Sequence, residues 1–362
     1  MIICFQCPRE TKELMDALIR AGTYSEYSEV IAAAVHNLSV LETAGAGSRS
    51  LIINDNFTAG PDFRSPVDAS QHNSPPNDAF TQHGTDLPNI FRSTSLSPNP
   101  ALEFAPILRE AEHTGDAPVD RWIFGQFSKF LPAKAACRAL ANLASETPAG
   151  FDLDKTSMRI AASAVRFGEY LAEIDRRHEL ARDEALAVGF PSNGENSDRS
   201  RLRFATQFVG TLTNGRPGGM LWELRLAGPG STGKFNLTES GWRFATFHNP
   251  ALDEGRGERL TREEIEYLLS HIRQHVPIEH SAYLLILNGV AAGADTPEKL
   301  DQLCKQHVSA DRKDDLSDAF ITTQRTGAVS RLNELGLIGR RRERNRVTYF
   351  VTNYGNEYLH RS

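Results

Sequence analysis

The chain has 362 residues, of which 40% are hydrophobic and 24% are charged, so two or three domains with buried cores fit its length. No run of 18 or more apolar residues and no secretory signal pattern occur, and its four cysteines, Cys4, Cys7, Cys137 and Cys304, do not form a disulfide framework. With a net charge of −6, the composition predicts a cytoplasmic protein that does not enter a membrane.

The first 44 residues predict a short strand ending at Pro8, a helix over "TKELMDALIRAG" and a second helix over "YSEYSEVIAAAV". This order resembles the ribbon-helix-helix family, which implies an obligate dimer paired through an antiparallel ribbon. Six residues then form the shared dimer core: Ile3, Phe5, Leu14, Leu18, Val30 and Val35. Residues 1–44 carry three basic and six acidic side chains, a net charge of −3, so we expect this module to dimerise rather than to read bases.

Residues 45–117 are rich in Pro, Ser, Asn and Asp and show no sustained period, which predicts a flexible linker. Two short apolar islands, "SLIIND" and "PNIFRS", interrupt it. We expect these islands to dock locally on the folded parts of the chain.

Residues 118–277 predict helices over 132–145 and 152–186, then a helix that begins near Arg199, Arg201 and Arg203, then a strand over "MLWELRLA". The segment "FNLTESGWRFA" (235–245) follows, and its pattern recurs in "YFVTNYGNEYL" (349–359), with a threonine placed to cap a helix after a strand. A connecting helix over 260–275 begins with a capping box formed by Thr261 and Glu264.

Residues 278–362 predict three helices, over 280–294, after an N-cap at Thr296, and over 321–338, followed by a hairpin and a final helix. The segment "SRLNELGLIGRRRERNRVTYFVTNYGNEYL" carries a resemblance to the winged helix-turn-helix family. Together with the repeated threonine pattern, this suggests two winged-helix units in tandem, 118–277 and 278–362. The expected fold class is therefore α+β, mostly α, with small β-hairpin wings.

Residues 320–362 hold eight arginines and three glutamates, a local charge of +5 on an acidic chain, and such a concentration favours an anionic partner. The resemblance implies that the wing arginines contact phosphates while side chains of the third helix read bases. The expected DNA contacts are Gln324, Arg325 and Arg331 on the third helix and Arg340, Arg341, Arg342, Arg344 and Arg346 on the wing. Arg199, Arg201 and Arg203 either form a second DNA contact or pair with acidic residues of the 152–186 helix.

Other chemical motifs are incomplete. "GPGSTGK" (228–234) nearly matches a phosphate-binding loop but lacks the following hydroxyl and leads into a strand, so it fits better as a wing loop. Cys4 and Cys7 lack a second ligand pair, and His271 and His275, one helical turn apart, would need a third metal ligand such as His280. We predict no catalytic, cofactor or metal site and no enzyme activity.

These observations predict a homodimeric protein that binds double-stranded DNA, either a transcriptional regulator or a DNA-recognition subunit of a mobile-element, plasmid or defence system. The alternative is an assembly adaptor whose winged helices bind other protein subunits. The isoelectric point near 6.0 favours the adaptor, and the wing arginines favour DNA.

Overall fold

A computed structural model of the chain describes two compact units, Met1–Ala79 and Phe80–Ser362. The described residues are 12, 15, 16, 20 and 27 in the first unit, and 89–92, 102–107, 117–144, 147–181, 184–194, 196–213, 215–230, 233–312, 316–343 and 346–361 in the second.

The five described residues of the first unit are helical. Asp16 accepts hydrogen bonds from the Lys12 ammonium, at 3.2 Å, and from the Tyr27 hydroxyl. The contact from Tyr27 joins the two predicted helices of this unit. The predicted ribbon and the predicted dimer core, which comprises Ile3, Phe5, Leu14, Leu18, Val30 and Val35, lie outside the described residues.

The described part of the second unit is mostly helical, and its strands form three two-stranded antiparallel hairpins. This confirms the predicted α+β class with a helical majority. The helices are α1 Phe130–Ala144, α2 Leu153–Arg177, α3 Ser197–Phe204, α4 Met220–Glu223, α5 Glu239–Thr246, α6 Arg262–His275, α7 Pro277–Ala291, α8 Pro297–Gln306, α9 Asp318–Glu334 and α10 Asn353–Arg361. The strands are β1 Thr211–Thr213, β2 Arg216–Gly218, β3 Ala227–Pro229, β4 Phe235–Leu237, β5 Ile338–Glu343 and β6 Arg346–Val351.

Helix α1 lies at the centre of this unit. Every one of its residues except Asn142 is buried, because its many alanines let neighbouring elements approach from all sides. Its two charged residues are compensated inside the core: Lys134 lies 2.9 Å from Glu264, and an Arg138 nitrogen donates to Asp253 at 2.7 Å. Buried charges persist when they are paired in this way.

Part of the predicted linker packs on this core. Phe91 is fully buried, its ring centroid lies 5.0 Å from that of Phe167, and the Asn142 amide donates to the carbonyls of Ile90 and Arg92. The predicted docking of "PNIFRS" is confirmed, whereas "SLIIND" lies outside the described residues.

Two parts of the unit, residues 130–246 (the first copy) and 277–361 (the second copy), share one pattern of hydrogen bonds. A residue with positive φ follows α4 in the first copy, Arg225 (57°), and α9 in the second copy, Gly336 (71°). In each copy this residue ends the helix and starts a hairpin. The return strand then ends in a threonine whose N–H donates to the start of the hairpin, Thr238 to Leu226 at 3.0 Å and Thr352 to the corresponding leucine at 3.1 Å.

The same threonines cap the helices that follow. The Thr238 hydroxyl accepts from the Gly241 N–H at 3.0 Å, and the Thr352 hydroxyl accepts from the Gly355 N–H at 2.9 Å. The predicted capping role is therefore confirmed in both copies. The return strands also bond in the same manner to the residue between the first two helices of each copy, Phe235 N–H to the Phe151 carbonyl at 2.9 Å and Tyr349 N–H to the Asp295 carbonyl at 2.8 Å.

The copies differ in their third helix. Helix α9 is continuous. In the first copy the corresponding helix is α3 together with the π-helical residues Ala205–Val209, and the β1–β2 hairpin separates it from α4, which begins at Met220. Gly210 and Gly219, with φ of 122° and 111°, flank that hairpin and touch each other closely. The predicted strand over "MLWELRLA" is wrong at its start, because Met220–Glu223 form a short helix. Met220, Leu221 and Leu224 are all buried, whereas successive residues of a strand would point to alternate faces.

Candidate nucleic-acid interface

The basic hairpin, Ile338–Val351, is anchored at its base and exposed towards its tip. Ile338 is buried opposite Val351, whereas Arg340, Arg341, Arg342 and Arg346 are exposed. Arg344 lies outside the described residues. The apolar base therefore fixes a ribbon whose outer half carries the charge.

Arginines occupy both faces of this ribbon. Arg340 and Arg342 lie opposite Tyr349 and Val347 and share one face, and Arg341 lies on the other, because successive strand residues alternate. The Arg341 guanidinium lies 4.7 Å from the centroid of the Phe350 ring, a cation–π contact that orients it.

Three arginines of the tip have no carboxylate partner within the described part of the chain. Residues 340–346 contain five arginines and one glutamate, a net charge of +4, and no described carboxylate pairs with Arg341, Arg342 or Arg346. Solvated cations on a narrow ribbon are suited to contacts with phosphate groups, whose counterions they release.

Gln324 of α9 is buried and bonded to backbone groups of a distant segment. Its side-chain oxygen accepts from the Gly125 N–H at 2.5 Å, and its amide donates to the carbonyls of Val119 and Trp122, both at 3.3 Å. Only 2% of Gln324 is exposed.

Arg325 and Arg331 are likewise held inside the protein. The fully buried Arg331 guanidinium donates to Glu279 at 3.0 Å and to the Phe127 carbonyl at 2.7 Å, and the Arg325 guanidinium donates to Asp301 at 3.0 Å. Burial acts to lower the pKa of Arg331, but Glu279 and Tyr283 together outweigh it and hold the pKa above its ordinary value. The assignment of Gln324, Arg325 and Arg331 to base contacts is therefore corrected, because all three side chains are buried and bonded to other parts of the protein.

The exposed side of α9 carries different residues. Ala319, Thr322 and Thr326 follow one another at helical spacing and are exposed, and the Thr322 hydroxyl donates to Asp301 at 3.1 Å. These three residues are not among the predicted DNA contacts. Their spacing of three and then four positions is the signal in the sequence that places them on one face of the helix.

Arg199 and Arg203 of α3 are exposed, and Arg201 pairs with Asp198 on the same helix. Within the described ranges, none of the three pairs with a carboxylate of α2. The alternative in which acidic residues of that helix neutralise them does not match these contacts, and the second DNA contact stays a prediction.

Cys4 and Cys7 lie outside the described residues. Gly228 and Pro229, at the start of the segment 228–234, belong to β3, which pairs with β4, as expected for a hairpin. His271 Nε2 lies 2.7 Å from the Leu224 carbonyl, and burial lowers the pKa of His271 to about 4, so the neutral ring donates to that carbonyl. Across the described ranges, no group of three or more His, Cys, Asp or Glu residues could hold a metal ion.

Lys134 of α1 is a fully buried cation that is surrounded by hydrogen-bond acceptors. Burial lowers the pKa of Lys134 to about 8, and Glu264 opposes this shift. Its ammonium also donates to the carbonyls of Phe244 and Phe247. Since all three donor positions are occupied and the side chain is closed to solvent, the arrangement stabilises the core and offers no reactive group.

None of the described helices combines the length and the apolar character needed to cross a membrane. The chain matches no protein-family model, no curated protein and no solved structure.

Proposed function

We propose that the protein binds double-stranded DNA and that the basic hairpin is its principal phosphate contact. The observation that carries this proposal is the exposed cluster of arginines on both faces of a two-stranded ribbon, with a net charge of +4 on a chain of net charge −6. Charge of this kind neutralises phosphates without reading sequence.

We further propose that the two copies of the repeated pattern are winged-helix units. The paired bonds of Thr238 and Thr352, the helices that these residues cap and the hairpins that precede them support this assignment. In the second copy the hairpin would act as the wing, and α9 would act mainly as a support, since its long polar side chains are bonded inside the protein.

The test is the salt dependence of binding to a random-sequence duplex. The triple variant R341A/R342A/R346A should bind more weakly and lower the slope of log K against log salt by about 2.7, which is about 0.9 per lost phosphate contact. The control variant R176A/R177A/R256A removes three exposed arginines elsewhere and should leave the slope unchanged. An unchanged slope in the hairpin variant would exclude the basic hairpin as the DNA contact.

We infer that two cytoplasmic chains associate through residues 1–44, which would raise DNA affinity by linking two sites. Phe5→Asp would place an unpaired charge in the proposed dimer core. Light scattering should then show a monomer in place of a dimer, and DNA affinity should fall without a change in salt slope per chain. A monomeric wild-type protein would exclude the dimer.

An assembly adaptor is the second candidate. It is favoured by the bonded polar face of α9, since long polar side chains that are bonded inside the protein cannot read bases. Failure of the wild-type protein to shift duplex DNA at low salt would favour this candidate over a regulator or a DNA-recognition subunit.

A further inference from the structure

Three large apolar side chains are exposed on neighbouring elements of the first copy. Met158 of α2, Leu202 of α3 and Leu212 of β1 are 43%, 53% and 49% exposed. They make up half of the large hydrophobic residues that are exposed in the described part of the chain. Scattered single residues need no explanation, but a concentration of them marks an interaction surface.

The elements that carry these residues pack together. The Leu212 N–H donates to the Asp154 carboxylate at 2.9 Å, and Met158 lies one helical turn beyond Asp154 on α2. Both α3 and β1 contact α2. The three apolar side chains are therefore carried by elements that pack directly against one another.

Unpaired arginines accompany them. Arg199 and Arg203 flank Leu202 on α3. Both are exposed, and no carboxylate in the described ranges pairs with them. We define the α2–α3–β1 surface by Met158, Leu202, Leu212, Arg199 and Arg203.

We propose that the α2–α3–β1 surface binds an acidic amphipathic helix of another protein. Apolar side chains on one face of such a helix would cover Met158, Leu202 and Leu212, and its carboxylates would meet the arginines. Methionine and arginine are enriched at protein interfaces, and complementary charge selects the partner. This inference is independent of the basic hairpin and goes beyond DNA binding.

A phosphate backbone fits this surface less well than a peptide does. The three apolar side chains would gain nothing from a phosphate oxygen, whereas the apolar face of a helix would cover them. The basic hairpin differs, because the Arg341 guanidinium lies over its exposed Phe350 ring.

The β1–β2 hairpin extends this surface by interrupting the third helix of the first copy. Leu212 and Pro217 lie opposite each other and share one face of the hairpin. The hydrogen bond from Leu212 to Asp154 fixes the hairpin against α2. An inserted element that presents an apolar side chain to solvent and is tied at its base is suited to recognition rather than to core packing.

The experiment uses the full chain and a displayed library of random 16-residue peptides. Selection should enrich helical sequences with leucine-like residues spaced three and four apart and with aspartate or glutamate between them. The selected peptide should bind L202N/L212N about tenfold or more weakly, because the two half-exposed leucines together would bury about as much surface as one fully buried leucine. The control F104N removes an exposed aromatic residue elsewhere and should bind like wild type.

The outcomes separate peptide from DNA. R199E/R203E should abolish peptide binding, because it replaces the two cations of this surface with anions. A selection that yields no sequence, or peptides that bind L202N/L212N as tightly as wild type, would overturn the inference. Loss of duplex binding in R199E/R203E would assign this surface to DNA instead. Because R341A/R342A/R346A tests the basic hairpin separately, failure of one proposal is distinguishable from failure of the other.

Discussion

Replacing Arg331 with methionine tests the finding that this side chain stabilises the core and does not read bases. Arg331 and Glu279 are both fully buried and joined by two hydrogen bonds. Methionine fills a similar space but leaves the Glu279 carboxylate buried without a cation and the Phe127 carbonyl without this donor. Removing one partner of a buried ion pair costs about 3–5 kcal/mol. We expect R331M to lose about that much free energy of unfolding.

Urea denaturation followed by circular dichroism measures this loss, with an unchanged m-value as the sign that the same unit unfolds. The double variant E279L/R331M removes both charges and should recover much of the lost stability. Arg342→Met is the matched control, because Arg342 is exposed, and its change should stay within about 0.5 kcal/mol. If R331M kept wild-type stability and altered base preference instead, the structural role of Arg331 would be refuted.

Three further predictions concern stability, each measured by urea denaturation. Burial lowers the pKa of His271 from 6.5 to about 4. As the pH falls, His271 is therefore protonated in the unfolded chain before it is protonated in the folded protein. The free energy of unfolding should fall by up to about 3 kcal/mol as the pH drops from about 6.5 to 4. His271→Gln should flatten this pH dependence, and an unchanged profile would contradict the assignment. Thr238→Val and Thr352→Val should each cost about 1 kcal/mol by removing a helix cap, and loss in one variant alone would argue against equivalent caps. Gly327→Ala, which normally stabilises a helix by about 1 kcal/mol, should instead destabilise because the Gly125 backbone occupies the space of the new methyl group; a gain would show that the contact is loose.

Local signals were read correctly from the sequence. The Thr261 and Glu264 capping box forms with both of its reciprocal hydrogen bonds, and Thr296 caps α8. The two threonine caps that follow the hairpins form as predicted. Each of these contacts joins residues three apart, so the information needed to predict them lies within a few letters of sequence.

The partners of Gln324 and Arg331 could not be predicted in the same way. Gln324 bonds to Gly125, 199 positions away, and Arg331 bonds to Phe127. Glu334 on the same face of α9 accepts from the N–H groups of Phe130 and Leu131 at the start of α1. Long polar residues on a helix are usually exposed. These side chains are buried because segment 119–131 covers them, and the local sequence of α9 does not show where that segment lies.

The repeated pattern also explains how one backbone design presents two different surfaces. In the first copy the third helix exposes Arg199 and Arg203 beside an apolar residue, and in the second copy the corresponding helix exposes Thr322 and Thr326. Basic residues are distributed in the opposite way on the hairpins. Among its described residues the β3–β4 hairpin of the first copy carries only Lys234 as a cation, whereas the β5–β6 hairpin of the second copy is rich in arginine. The hydrogen bonds that define the pattern use backbone groups, the threonine caps and buried leucines, so the exposed positions are free to diverge. Charge on a helix beside apolar side chains suits a protein partner, and charge on a narrow ribbon suits phosphate; the two copies are therefore expected to bind different partners rather than to repeat one contact.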